Sequence, residues 1–139
     1  MIEIFLPMEK IPTATLQQKK AAMVKGHIMM YEPQNVKDTK KLYEKLLRPY
    51  KPQKPIGGPV AIYIRWQFPT KEKKKQNTWK DTRPDVDNLF KLIADRLTYL
   101  GFFNDDSQLV SISGDKVYVK PDDGGVLIQI TEANEVYKI

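Results

Sequence analysis

Residues 60–68 read VAIYIRWQF, with an apolar side chain at every second position: Val60, Ile62, Ile64, Trp66 and Phe68. Strand side chains alternate between the faces of a sheet, so this run predicts a strand with one wholly apolar face. Such a face has to be buried under a second layer. Two segments can supply it. Over 36–50, Val36, Thr39, Tyr43, Leu46, Leu47 and Tyr50 form one helical stripe with charges opposite, in a helix that ends before Pro49 and Pro52. Over 88–100, Leu89, Leu92, Ile93, Leu97 and Leu100 recur at helical spacing, and Gly101 is a natural C-terminal stop.

The remaining strands are shorter signals. Residues 2–6 (IEIFL) read as a strand ended by Pro7, and 9–35 as a long arm or loop feeding a short strand at 28–31. Residues 109–120 and 126–132 read as two strands joined by PDDGG as a hairpin. The connector KPQKPIGGP at 51–59 is too short to divide domains, and PTKEKKKQNTWKDT at 69–82 is a basic loop. The order β, arm, α, β, loop, α, β, β predicts a small α+β domain, a mixed β-sheet with two main helices. All 139 residues, 1–139, are expected to form that single domain.

Composition removes several function classes. There is no cysteine, so disulfides and thiolate zinc sites are excluded, and the lone His27 cannot build a multi-histidine metal site. A metal here would rest on oxygen ligands, which favours magnesium, manganese or calcium. No apolar run approaches the roughly 20 residues that cross a bilayer, so no membrane partner is expected. MIEIFLPMEK lacks a basic n-region and a cleavage site, so no secretion signal is read. The net charge of +6 fits a polyanionic partner, most simply nucleic acid.

The chemistry concentrates in RPDVDNLFK, 83–91. Pro84 biases Arg83 toward extended geometry. If the chain stays extended to Asp87, Asp85 and Asp87 point to one side, and a helix starting near Asn88 puts Lys91 on the face of Asp87. A second acidic pair, Asp105 and Asp106, precedes a strand. The helix is roughly 18 Å long at its rise per residue, and the return from Leu100 to Asp106 spans at most about 25 Å. Asp106 can therefore come back beside Asp85 and Asp87, or serve a neighbouring subunit. Two carboxylates about 5 Å apart repel by roughly 3 kcal/mol at an effective dielectric of 20. A divalent cation removes that conflict, and hard oxygen ligands with open positions suit phosphodiester cleavage. The plainer alternative makes Asp87 an N-cap, Asp85 a solvated residue and Asp105–Asp106 part of a turn.

Lys71, Lys73, Lys74, Lys75 and Lys80 precede this motif with Trp79, and Lys10, Lys19, Lys20 and Lys25 lie in the arm. They either contact phosphates or form solvated loops. Trp79 either stacks on a base or, as expected here, folds onto the core. Asp95 either pairs with Lys91 or faces solvent.

The string RPDVDNLFKLIADRLTYLGFFNDDSQL, 83–109, resembles the signature of the RusA-type Holliday junction resolvases, a P-D-x-D-N-L-x-K run, a helix and a D-D pair before a strand. PTATLQQKK and YEPQNVKDTKKLYEKLL are similar to that family's arm and to the segment leading into its first helix. The resemblance implies that Asp85, Asp87, Lys91 and Asp106 are catalytic, with magnesium or manganese on Asp85, Asp87 and Asp106 and no small-molecule cofactor. It implies a homodimer that makes paired nicks across a four-way DNA junction, in the cytoplasm of a bacterial host and encoded by phage or prophage. On this reading Lys71, Lys73, Lys74, Lys75, Lys80, Arg83, Lys19 and Lys20 contact DNA. TATLQQ stands where more familiar bacterial members have an arginine-rich run, so the resemblance speaks for the chemistry more than for the mode of junction binding. The rivals are a non-catalytic DNA-binding phage protein of the same fold, a calcium-stabilised interaction protein, and a nuclease acting on forks or flaps.

Overall fold

The computed structural model describes residues 1–16 and 20–136. In chain order the elements are β1 (Ile2–Pro7), β2 (Lys20–Val24), β3 (His27–Tyr31), α1 (Gln34–Leu47), β4 (Val60–Pro69), α2 (Val86–Leu100), β5 (Leu109–Val119) and β6 (Gly125–Glu132). Short 3-10 turns cover Arg48–Tyr50, Asp106–Gln108 and Pro121–Asp123. The fold is α+β, with a mixed four-stranded sheet in the order β1-β6-β4-β5.

The strand read from VAIYIRWQF is the spine of that sheet. β4 pairs antiparallel with β6 on one edge and parallel with β5 on the other. β5 and β6 are thus not the hairpin expected from PDDGG, because β4 lies between them. The linking turn instead crosses the end of β4, where Gln67 Nε2 donates to the Asp123 carbonyl at 2.7 Å and Met8 N to the Gly124 carbonyl at 3.0 Å. Parallel neighbours need a long crossover, and α2 provides it between β4 and β5. At the far edge β1 runs so close to β6 that a Cβ on Gly125 would collide with the Leu6 carbonyl oxygen.

Both helices cover one face. Val60, Ile62, Ile64 and Trp66 of β4 are buried with Ile4, Leu6, Ile128 and Ile130 against Val36, Tyr43 and Leu47 of α1 and Leu92, Ile93 and Leu97 of α2. Gly101 ends α2 in the left-handed conformation, at φ 88°, as glycine does without a Cβ penalty. The buried Phe102 and Phe103 then turn the chain back under the core. The other face carries Tyr63, Arg65 and Gln67 of β4, none of them buried. The arm holds more structure than its sequence suggests. β2 and β3 form a separate hairpin whose two turn residues, Lys25 and Gly26, have positive φ of 48° and 79°.

Candidate active site

α2 starts two residues before its apolar spacing becomes visible. Asp85 is the N-cap, extended at φ −72° and ψ 140°, and Asp87 sits in the first turn, where the helix dipole favours an acid. The two-residue strand repeat therefore stops at Asp85, and Asp87 obeys helical spacing instead. Asp87, Lys91 and Asp95 follow at one-turn intervals along one face of α2. That face is one wall of a groove of about 920 Å³. The opposite wall is Asp106 with the first half of β5, including Ile112 and Gly114.

Asp87, Lys91 and Asp106 thus line the same groove, although the two aspartates lie 19 positions apart along the chain. Asp85 is exposed at the helix start and is not among the lining residues, though its neighbour Val86 is. Among the described residues no three His, Cys, Asp or Glu side chains are grouped so as to hold a metal ion. The expected convergence of three carboxylates on one point is therefore absent within this chain. The early start of α2 is the physical reason, since it turns Asp87 away from the direction that a continued strand would share with Asp85.

The plainer reading of the acids holds for Asp85, which is exposed to solvent, and fails for Asp87, which is not the N-cap. Asp85 is at the N-cap but makes no side-chain capping bond. Asp85, Asp87 and Lys91 have no side-chain hydrogen bond or ion pair with any described residue. It succeeds for Asp105, which caps the turn Asp106–Gln108 by accepting from Ser107 N at 3.1 Å. The Ser107 N–H holds the Asp105 carboxyl below its usual range, whereas hydrogen bonding with Asp105 pushes Asp106 above it. Asp95 pairs with Arg96 at 2.5 Å, not with Lys91, and Arg96 also bridges to Glu44 of α1.

Gln108 is the residue that the sequence reading missed. Its Oε1 accepts from Asn104 N at 2.8 Å and from Asp105 N at 3.0 Å, while its Nε2 donates to the carbonyls of Ile56 at 2.7 Å and Gly58 at 2.9 Å. One amide therefore fixes the turn that presents Asp106 to the connector before β4. The signal was legible, because Asp105-x-x-Gln108 has the spacing of a capping box. Gln108→Leu is expected to cost about 1–3 kcal/mol in urea unfolding, since it leaves backbone groups unpaired. Lys116 has a similar part at the other wall, donating to the carbonyls of Thr82 at 2.5 Å and Pro84 at 2.7 Å just before α2.

The basic residues divide. Lys71, Lys73, Lys74 and Arg83 are exposed and have no ion-pair partner among the described residues. Lys75 pairs with Glu72 at 3.2 Å. Lys80 lies over the rings of Phe68 and Tyr118, at 5.1 and 5.0 Å. Lys20 opens β2, and Lys19 lies outside the described residues. Trp79 is not folded onto the core but 65% exposed. Its backbone, bridged to Val117, holds the ring above the uncovered face of the sheet, beyond reach of the helix side.

Two exposed carboxylates and a lysine lining one groove, beside an exposed basic loop on an α+β scaffold, suit an enzyme that cuts phosphodiesters. Residues 10–131 match the family of endodeoxyribonuclease RusA. The chain belongs to that family. It is 33% identical over 132 residues to the crossover junction endodeoxyribonuclease rusA of Lactococcus phage r1t, covering 94% of this chain and 97% of that protein. It is also 31% identical over 104 residues to the uncharacterized protein YqaN of Bacillus subtilis (strain 168), covering 67% of this chain and 72% of that one.

Proposed function

We propose that this chain is a magnesium-dependent endodeoxyribonuclease that resolves four-way DNA junctions as a homodimer. The observation that carries the reading is the groove that sets Asp87 and Lys91 of α2 against Asp106. Family membership and the phage relative named for crossover junctions support the substrate.

The donor set suits magnesium or manganese. Asp87 and Asp106 are exposed carboxylates on one groove. Magnesium is held by one or two carboxylates, with waters and substrate phosphates completing its shell, so a closed cage of three is not required. When bound, the ion supplies a more acidic water and charge for the phosphate oxygens. Lys91, with no competing carboxylate, stabilises negative charge developing on the scissile phosphate. The N-terminal end of α2 faces the same charge with its positive dipole. Lys71, Lys73, Lys74 and Arg83 hold the flanking phosphates, and the salt dependence of binding follows from them. The Trp79 loop covers only the later part of the outer edge of β5, and the first part, beside the groove, gives a second copy a strand edge to meet. Two copies would relate two grooves by a twofold axis that matches the symmetry of a junction.

A supercoiled plasmid that extrudes a cruciform tests these statements together. With magnesium, two coordinated nicks yield linear plasmid, and EDTA abolishes the product. A single nick would relax the cruciform and leave open circles. Open circles alone refute paired action, and equal cutting of plain duplex refutes junction choice. A parallel digest of forked DNA decides the reading in which forks or flaps are the substrate.

A further inference from the structure

On the face of the sheet turned away from the helices, a concavity of about 600 Å³ is lined by Phe5, Arg65, Trp79, Tyr118, Asp122 and Asp123 among others. We infer that this concavity is a stacking site for an unpaired base of single-stranded DNA, with Trp79 as its platform. The inference rests on the DNA reading above but concerns a different surface.

Several observations meet there. Trp79 is 65% exposed and Phe5 38%, so two aromatic rings are offered to solvent. Trp79 is nonetheless held in place. Its loop is fastened to the edge of β5 by Asn77 N to the Tyr118 carbonyl at 2.8 Å, Tyr118 N to the Thr78 carbonyl at 2.9 Å, and Lys80 N to the Lys116 carbonyl at 3.0 Å. A rigidly carried indole loses little freedom when a base stacks on it. Arg65 stands 5.7 Å from the indole centroid. Asp115 holds that guanidinium bidentately, at 2.7 and 3.1 Å, and also accepts from the Tyr63 hydroxyl at 2.9 Å. A fixed cation thus lies over the ring, and arginine adds such cation–π contributions to base stacking in single-strand sites.

Charge selects the kind of occupant. The loop that carries Trp79 also carries Lys71, Lys73 and Lys74, exposed and unpaired among the described residues, which suits a phosphate backbone running along its outer side. Asp122 and Asp123 line the concavity itself and would repel a phosphate there. They are acceptors for the exocyclic amine of a base. An apolar peptide would leave those acids unanswered, and a duplex does not expose a base face. A strand with unstacked bases satisfies aromatic, cationic and acceptor groups together, and a branched junction provides one where its arms separate.

Tryptophan fluorescence reads the contact directly, because Trp66 is buried and Trp79 is the exposed indole. In EDTA, titration with a short oligodeoxycytidylate, whose bases carry an exocyclic amine, is expected to quench the emission. The quench should be lost in Trp79→Leu, whose affinity for the oligonucleotide falls about tenfold or more. Trp79→Phe, which keeps a ring, should retain most of the affinity, and unchanged far-ultraviolet circular dichroism shows that the variants fold. Unquenched emission with bound oligonucleotide overturns the inference. So does an equal affinity of Trp79→Leu, or an emission that changes with protein concentration alone, which would assign the ring to an interface between copies. Because no cleavage is measured, failure of the plasmid assay leaves this result standing, and failure here leaves the plasmid assay untouched.

Discussion

Asp106→Asn is expected to lower the rate of junction cleavage by about 10³-fold while junction binding is kept or tightened. A carboxylate that holds an ion on the scissile phosphate is worth several kcal/mol of transition-state stabilisation, and each 1.4 kcal/mol is a factor of ten. Binding should not weaken, because the substitution removes a negative charge from a groove that receives phosphates. Asp87→Asn should behave in the same way, since both residues line that groove. The neighbour provides the contrast. Asp105 is turned to capping, and asparagine caps almost as well, so Asp105→Asn should cut within about one order of magnitude of the parent. Single-turnover cleavage beside gel-shift affinities checks the set. An Asp106→Asn protein that cuts at the parental rate removes the groove from the mechanism.

Phe102→Ala is expected to cost about 4 kcal/mol of stability, a large share of the 5–15 kcal/mol typical of such a domain. Phe102 is fully buried. Its backbone also closes the C-terminus of α2, with Phe102 N donating to the Leu97 carbonyl at 3.0 Å, and receives Ile56 N at 2.9 Å. The ring therefore sits where α2 turns back toward the Asp106 turn, and its loss leaves a cavity at the base of one groove wall. Tyr99, three residues earlier and 66% exposed beside Arg96, is the control, and Tyr99→Ala should cost no more than about 1 kcal/mol. Urea titrations of the three proteins compare the midpoints at similar slopes. A Phe102→Ala midpoint shifted no further than that of Tyr99→Ala would show that the turn is not anchored there.

Much of the fold was legible because local periodicity carries it. The alternation from Val60 to Phe68 and the stripes of α1 and α2 arise from residues close in sequence, and each became the element it predicted. The PDDGG segment misleads because turn chemistry describes a local reversal and not the strand that fills the gap. Two strands joined by a short turn pair only if no third strand satisfies their edges better, and β4 does so for both. The β2–β3 hairpin in the arm is half visible, since His27–Tyr31 has a strand signal and Lys20–Val24 almost none.

The site divides along the same line. Which residue types are present for the proposed chemistry was decided by sequence: two acidic pairs, a lysine one turn beyond Asp87, a basic loop, and no thiol or second imidazole to compete for a metal. Their meeting was decided by tertiary structure. Asp106 reaches the wall opposite Lys91 because α2 crosses over to a parallel β5 and Gln108 clamps the return, and that clamp closes on carbonyls some fifty positions away. Asp85 leaves the groove because a helix start moved by two residues turns a side chain to another direction. Trp79 lies in the open because its strand-like loop adds to the edge of β5, on the side where no helix covers the sheet. Periodicity reports which face a side chain takes within its own element, and only packing between elements determines what that face meets.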